Sequence, residues 1–479
     1  TSITLQRTSA QNLTILGPNC FSGVGFTTSN YQSVTNMFIL GYTYGELTTS
    51  GIPTDVLYKA ILDAFLIFND ATKTSVVGFT LAINVSDVVV TFPNTVTNIA
   101  ANAFLNCVSL TSVTISSNVI SIGSNAFKGC TTLTTADIPA SVTETGSNIF
   151  QGCGFTNYSW PSTLTSINNY TFAGCIALTS VTISSTVTTI GSFVFQGCTT
   201  LTTADIPASV TETGSNIFQG CGFTSYSWPS TLTSINNYTF AGCVALTSVT
   251  ISSTVTTIGS FVFQGCTTLT IADIPASVTE TGSNIFQGCG FTSYSWPSTL
   301  TSINNYTFAE CVALTNVTIS STVTTIGSFV FQGCTTLTTA DIPASVTETG
   351  SNIFQGCGFT NYSWPSTLTS INNYTFAGCI ALTNVTISST VTTIGSFVFQ
   401  GCTTLTTADI PASVIFIGNN TFERCGFIIF TWPNTVTTIN DYMFADCIYL
   451  QTVKIIPTVP KTTFTLGKYV FKGCISLKF

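Results

Sequence analysis

The chain has no histidine among its 479 residues and little charge of either sign, with Lys, Arg, Asp and Glu together making up 6%. An average soluble domain carries roughly a quarter. Without histidine, the commonest general base and a principal zinc ligand are both missing. No Lys or Arg lies between Lys128 and Arg424. A phosphate-binding surface needs clustered cations, so nucleic-acid binding is excluded over this stretch, and so is a polybasic patch for anionic lipid. Long apolar runs are missing too. The most apolar segment, Ala60–Phe68, carries Asp63 and is too short to span a membrane. Neither an initiating Met nor a recognisable leader is present, which leads us to expect a mature product that has lost its leader.

The apolar share is ordinary at 44%, so Ser, Thr and Asn replace charge as the water-facing material. Above all, the chain repeats. The segment SFVFQGCTTLTTADIPASVTETGSNIFQGC, which begins at Ser192, returns with small changes about every 68 residues. The cysteines subdivide that period: Cys107, Cys130, Cys153, Cys175, Cys198, Cys221 and Cys243 are spaced 23, 23, 22 and then 23, 23, 22. One supra-repeat is therefore three units, such as those beginning at Ile138, Trp160 and Ile183, and about 17 units run from Phe92 onward. A period of 22–23 residues marks a solenoid whose coils bury their apolar faces only against neighbouring coils. In one coil, Leu178, Val181 and Ile183 point inward while Ser180 and Thr182 face out, the alternation of a short strand. Val187 and Ile190 mark a second extended piece. Gly191 then turns the chain, and Ser192–Cys198 reads as a helical or 3₁₀ corner that buries Phe195 and Cys198.

The pattern IPxSVTxIGxxxFxGCxxLTxVT resembles the leucine-rich repeat of the BspA-like family, over about four-fifths of the chain. The resemblance implies a leucine-rich-repeat solenoid and a secreted or cell-surface setting, as in surface proteins of anaerobic bacteria and mucosal protists. This chain departs from the pattern in being poor in Lys and in using SWPSTLTSINNYTF in every third unit.

Stacking places equivalent residues one strand spacing apart, roughly 4.8 Å. The cysteines then form a single file whose parallel side chains do not offer disulfide geometry, so buried unpaired thiols are expected. Cys20 stands outside the file. A straight file cannot converge four ligands on zinc. Trp160, Trp228, Trp296, Trp364 and Trp432 share one slot, the one Ile183 fills in its own coil. We expect them in the core, the alternative being a sugar-stacking platform with rings roughly 14 Å apart. Asp137, Asp205, Asp273, Asp341 and Asp409, with Glu144, Glu212, Glu280 and Glu348, recur too far apart to share a calcium ion and read as solvated charge. No metal or cofactor is expected. Sequons begin at Asn12, Asn84, Asn157, Asn169, Asn237, Asn305, Asn316, Asn361, Asn373, Asn384 and Asn419. Those inside the array fall on outward strand positions or on the outer corner, so glycosylation is expected if the chain passes through a eukaryotic secretory route.

Residues 1–91 do not follow the repeat and read as a small α+β head or cap. Within it, Val56, Leu57, Ala60, Ile61, Ala64, Phe65 and Phe68 are at helical spacing after Pro53, and strands are expected over Val76–Val85 and Asp87–Phe92. The fold class is therefore mainly β, a solenoid over residues 92–479 with a small α+β N-terminal head. About 17 coils would extend roughly 80 Å. The last unit carries an insertion at Pro457–Phe471, and the chain stops at Phe479 with a coil left open. An uncovered coil needs a lid, and the head of another copy is the candidate. Lys454, Lys461, Lys468, Lys472 and Lys478 gather near this end and would face Glu46, Asp55, Asp63 and Asp70 of the head. Lys468, Lys472, Lys478, Phe479, Glu46, Asp55 and Asp63 are the candidate self-assembly residues. Such head-to-tail contact does not close and gives a filament; the lysines' bland role is to guard an open edge.

A catalytic site needs unlike residues held in one place, whereas this surface repeats the same residues, so no enzyme is expected. The leading expectation is an extracellular structural protein that polymerises with itself into a glycosylated fibre. The alternative is a monomeric adhesin that takes a host protein or glycan on its exposed strand face. Neither reading involves membrane insertion.

Overall fold

The computed structural model describes residues 66–68, 73–79, 88–455 and 463–478. It is an all-strand β-solenoid of about 16 turns, with no helix among the described residues. The chain divides into two compact units, 1–223 and 224–479, which are built alike.

Most coils make two short strands, and the coils through Thr135, Thr203, Ile271 and Thr339 replace one of them with a single bridge. In the first unit Ser180–Thr182 pairs in parallel with Asn157–Ser159 one coil back, in strict register. Thr189–Ile190 pairs with Ser166–Ile167 behind it and Glu212–Thr213 ahead. The second unit repeats the arrangement, for example with Asn316–Thr318 on Ser293–Ser295. Val181 and Ile190 are buried while Thr182 is exposed, the alternation read from the sequence. β-branched residues suit these pleated positions.

The core is a file of phenylalanines. In the first unit Phe104, Phe127, Phe150, Phe172, Phe195 and Phe218 stack with ring centroids 5.2–5.9 Å apart. In the second the file runs from Phe240 through Phe308 to Phe471 at 5.6–5.8 Å. An aromatic pair contributes about 0.5–1.5 kcal/mol beyond its area burial, so each ring is held from both sides. Cysteines lie beside this file. From Cys130 onward the thiols donate to the carbonyl of a Phe one coil back, as Cys198 Sγ does to Phe172 O at 3.1 Å and Cys334 Sγ to Phe308 O at 3.1 Å.

The corner differs from expectation. Gly191–Cys198 is a run of turns rather than a helix. Its Phe193 and Gly197 lie in the left-handed region, at φ of 60° and 72°. That alternation turns every second N–H toward the next coil: Phe193 N, Phe195 N and Gly197 N donate to Ser215 O, Ile217 O and Gln219 O at 2.7–2.9 Å. A helix would spend those donors inside the coil. Here stacking takes them, and backbone bonding continues around the corner.

The start of the array also corrects the sequence reading. Leu66–Phe68, expected in a helix, is a strand antiparallel to Ser75–Phe79. A short apolar run fits helix and strand equally by periodicity, and the open ladder edge beside it offers backbone partners that decide the matter. Ser75–Phe79 in turn pairs in parallel with Asn98–Ile99, so the coil ladder reaches back before Phe92. Val88–Thr91 pairs with Leu110–Thr114. The remaining residues of the expected helix, before Leu66, and of the expected strand, beyond Phe79, lie outside the described residues.

Candidate interaction surfaces

The two strand faces are lined by threonine columns. Along the three-residue strands, Thr247, Thr315 and Thr383 each donate Oγ1 to a threonine carbonyl one coil back at 2.9 Å. Along the two-residue strands, Thr256, Thr324 and Thr392 do the same at 3.2–3.3 Å. Serine could make the bond but lacks the β-branch that favours a strand. The hydroxyls thus tie coils together, and the only charges that recur on these faces are one Asp and one Glu per supra-repeat.

The three-residue strands do not form one continuous sheet. In the first unit Asn157–Ser159 pairs only forward, with Ser180–Thr182, and not with the coil behind it, whose Thr135 bridges back to Ser112. The gap is bridged by a side chain: Tyr158 Oη donates to Ala136 O at 3.0 Å. In the second unit Tyr294 reaches Ala272 O and Tyr362 reaches Ala340 O, both at 3.1 Å. Burial pushes all three phenols well above their usual pKa, so they stay protonated donors. Nothing in the periodicity signals this bridge, although the tyrosine stands once per supra-repeat beside each tryptophan.

The last supra-repeat breaks the pattern. Phe430 occupies the tyrosine's place, and Ala408 is 8% exposed where Ala136, Ala272 and Ala340 are 1%. A cleft of about 260 Å³ opens there, lined by Thr407, Ala408, Asp409, Ile410, Ile429 and Thr431 among others. The two threonine columns are interrupted by Ile415 and Ile428, and Phe416 stands where the preceding supra-repeat carries Glu348. Ile415 is 67% exposed and Phe416 51%. Charge changes as well. Residues 410–479 hold six basic residues against three acidic ones, net +3, whereas residues 1–409 hold four against fifteen, net −11.

Lys454, Lys468, Lys472 and Lys478 are exposed; Asp441 Oδ1 accepts from Lys468 N at 2.7 Å. Lys461, Phe479, Glu46, Asp55, Asp63 and Asp70 lie outside the described residues, as do Cys20, Asn12 and Asn84. The expected pairing of lysines with head acids therefore has no described geometry.

The sequons of the array divide into two settings. Asn169, Asn237, Asn305 and Asn373 are exposed on the corner. In each, the Oδ1 accepts the backbone N–H of a serine in the next coil at 2.8 Å. Because that partner is a donor, the carboxamide oxygen must face it and Nδ2 faces solvent. The sequon threonine is buried; Thr171 Oγ1 donates to Asn168 O at 2.6 Å. Asn419 is exposed at the same corner position. Asn157 and Asn361 are exposed on strands, while Asn316 and Asn384 are half-buried there.

The tryptophans are core residues. Trp160, Trp228, Trp296 and Trp364 are buried with Nε1 unpaired. Trp432 alone donates, to Val436 O at 2.9 Å. A sugar platform is ruled out by that burial. Each recurring Asp is exposed and so are the glutamates; no group of three metal-binding side chains occurs among the described residues. No helix of the described residues is long and apolar enough to cross a membrane.

Two parallel strands per coil, a turn-built corner and a Phe–Cys core define a solenoid of stacked leucine-rich coils. The family description BspA type leucine-rich repeat region matches residues 79–178, 165–292, 233–360, 301–428 and 347–478, and the chain belongs to that family. Among solved structures, a leucine-rich repeat protein from Bacteroides ovatus is 23% identical over 86% of this chain and 92% of its own, with a TM-score of 0.50. A leucine-rich cell surface protein from Faecalibacterium prausnitzii is 24% identical over 67% and 92%, with a TM-score of 0.41. Among curated proteins nothing matches.

Proposed function

We propose that this chain is an extracellular structural repeat protein that associates with further copies of itself through its last supra-repeat, and that it carries glycans along its corner. The observation that carries the reading is the change of surface after Asp409. Coils that keep the core exchange outward Thr and Glu for Ile415, Ile428 and Phe416, and the local charge turns positive. Exposed apolar groups in a segment of net positive charge suit contact with an acidic surface, and the rest of the same chain is acidic. The corner asparagines, with Nδ2 turned to solvent, are suited to N-linked glycans. Catalysis has no part in the proposal, because the repeated faces present the same few hydroxyls at every coil.

The test is the mass of the purified protein by light scattering over a range of concentration and salt. Wild type is expected to form oligomers that dissociate as salt rises. A triple variant, Ile415→Thr, Phe416→Glu and Ile428→Thr, restores the central surface and is expected to stay monomeric with unchanged circular dichroism. Wild type that remains monomeric when concentrated, or a variant that assembles equally well, overturns the reading. Intact mass before and after deglycosylation tests the glycans.

A further inference from the structure

We propose that the cleft between strands Thr407–Asp409 and Ile429–Trp432 is a binding site for a single amino sugar, a small polyol bearing an ammonium group. This goes beyond self-association and would give the molecule a recognition site on its strand face. At each described break in the sheet a tyrosine hydroxyl closes the gap by donating to an alanine carbonyl at 3.0–3.1 Å. At the last break that hydroxyl is missing because residue 430 is Phe, and Ala408 lines a cleft of about 260 Å³. The neighbouring Ile410 is half-buried where Ile138, Ile274 and Ile342 are buried, so the side chains here are more accessible than at the earlier breaks.

The lining then selects the ligand. Ala408 O accepts a hydroxyl, as its counterparts do. Asp409 presents an exposed carboxylate at the rim, which favours a cation and strengthens its hydrogen bond. Thr407 Oγ1 donates to Asn384 Oδ1 at 2.9 Å and offers the cleft an acceptor only, the Thr431 hydroxyl lines the other side, and Ile410 and Ile429 supply an apolar wall. Hydroxyls, one positive charge and a compact body with an apolar face are the properties of an amino sugar. The volume is below the usual range for drug-sized ligands and suits one ring rather than a chain.

The test uses the full chain and D-glucosamine as probe, read by saturation-transfer NMR and by titration. Glucosamine is expected to bind wild type, and N-acetylglucosamine, which lacks the charge, more weakly. Phe430→Tyr restores the internal hydroxyl and should weaken glucosamine binding about tenfold or more while leaving the melting temperature equal or higher. Asp409→Asn should weaken it by a similar factor without affecting folding. Wild type that shows no transfer at about 10 mM probe, or a Phe430→Tyr protein that binds as tightly as wild type, overturns the proposal. Oligomer formation is measured separately, so failure here leaves the self-association reading standing.

Discussion

Two stretches of the second unit share a core and differ in almost everything they show to solvent. Between Ser225 and Asp409 the coils are near copies: outward threonines bonded one coil back, a tyrosine bridging each described break, and a glycine at the end of nearly every corner. From Ile410 onward Phe422, Phe444 and Cys447 continue the same buried file. Yet Thr becomes Ile, Tyr becomes Phe, and the left-handed corner position of Gly401 is taken by Arg424 and Asp446, at φ of 55° and 57°. Arg424 Nε sits 3.7 Å from Asp446 Oδ2 across the coil step. The lesson is that the interior alone specifies the coil. Outward residues can be replaced wholesale without altering register, so the places where they are replaced are the places to look for function.

The largest expected effect tests the shared interior. Burial pushes the Cys311, Cys379 and Cys447 thiols up to about 12, and Cys266, Cys289, Cys334, Cys357, Cys402, Cys425 and Cys474 are shifted upward too, with burial as the principal cause. A thiol raised in the folded state titrates first in the unfolded chain. Stability is therefore full below the ordinary thiol pKa of 9.0 and falls as pH rises from there toward 12. Because raised thiols recur along the second unit, circular dichroism should show cooperative alkaline unfolding within that window, in its central and terminal repeats alike. Native protein at pH 8 should react slowly with a thiol reagent and completely in urea.

Next in size is Phe308→Ala, which removes one ring from the file and its contacts with Phe286 and Phe331 at 5.7 Å. A loss of about 3–5 kcal/mol is expected from urea midpoints. Phe444→Ala should cost as much if the terminal repeat is held by the same core. A markedly smaller loss there would show that the two stretches differ inside as well as out.

The smallest effect is the sharpest. Tyr362→Phe removes the hydroxyl from Ala340 O and should cost about 1 kcal/mol, whereas Phe430→Tyr should add about as much. Opposite signs from mirror-image substitutions would establish that the bridge distinguishes the repeats; equal signs would reject it.

Much of this architecture is legible in the amino-acid order itself. Alternation at Val181, Ile183 and Ile190 marks the two strands, the cysteine spacing marks the coil, and the slot shared by the five tryptophans places them inside. The file of thiols and the exposure of the corner asparagines follow from the same register. What periodicity cannot convey is the neighbour to which a backbone group is directed. The corner therefore reads as helical, because a Phe and a Cys turned inward fit a helix as well as a run of turns, and left-handed Phe193 leaves no trace in a pattern of apolar residues. Leu66–Phe68 misleads for a related reason: three apolar residues fit two geometries, and the choice lies with a ladder edge distant in sequence. The cleft at Ala408 depends on one absent oxygen atom, and only the coordinates of its counterparts give that absence meaning.

The tyrosine bridge recurs every third coil and so fixes the quantum in which such a molecule can change length. Copying or losing a single coil would break the fixed order of paired and bridged coils, whereas a block of three returns every side chain to its proper seat. A gene of this kind can lengthen or shorten its product through unequal exchange between its own repeats, in steps of 68 codons, with the specialised final block carried along unchanged.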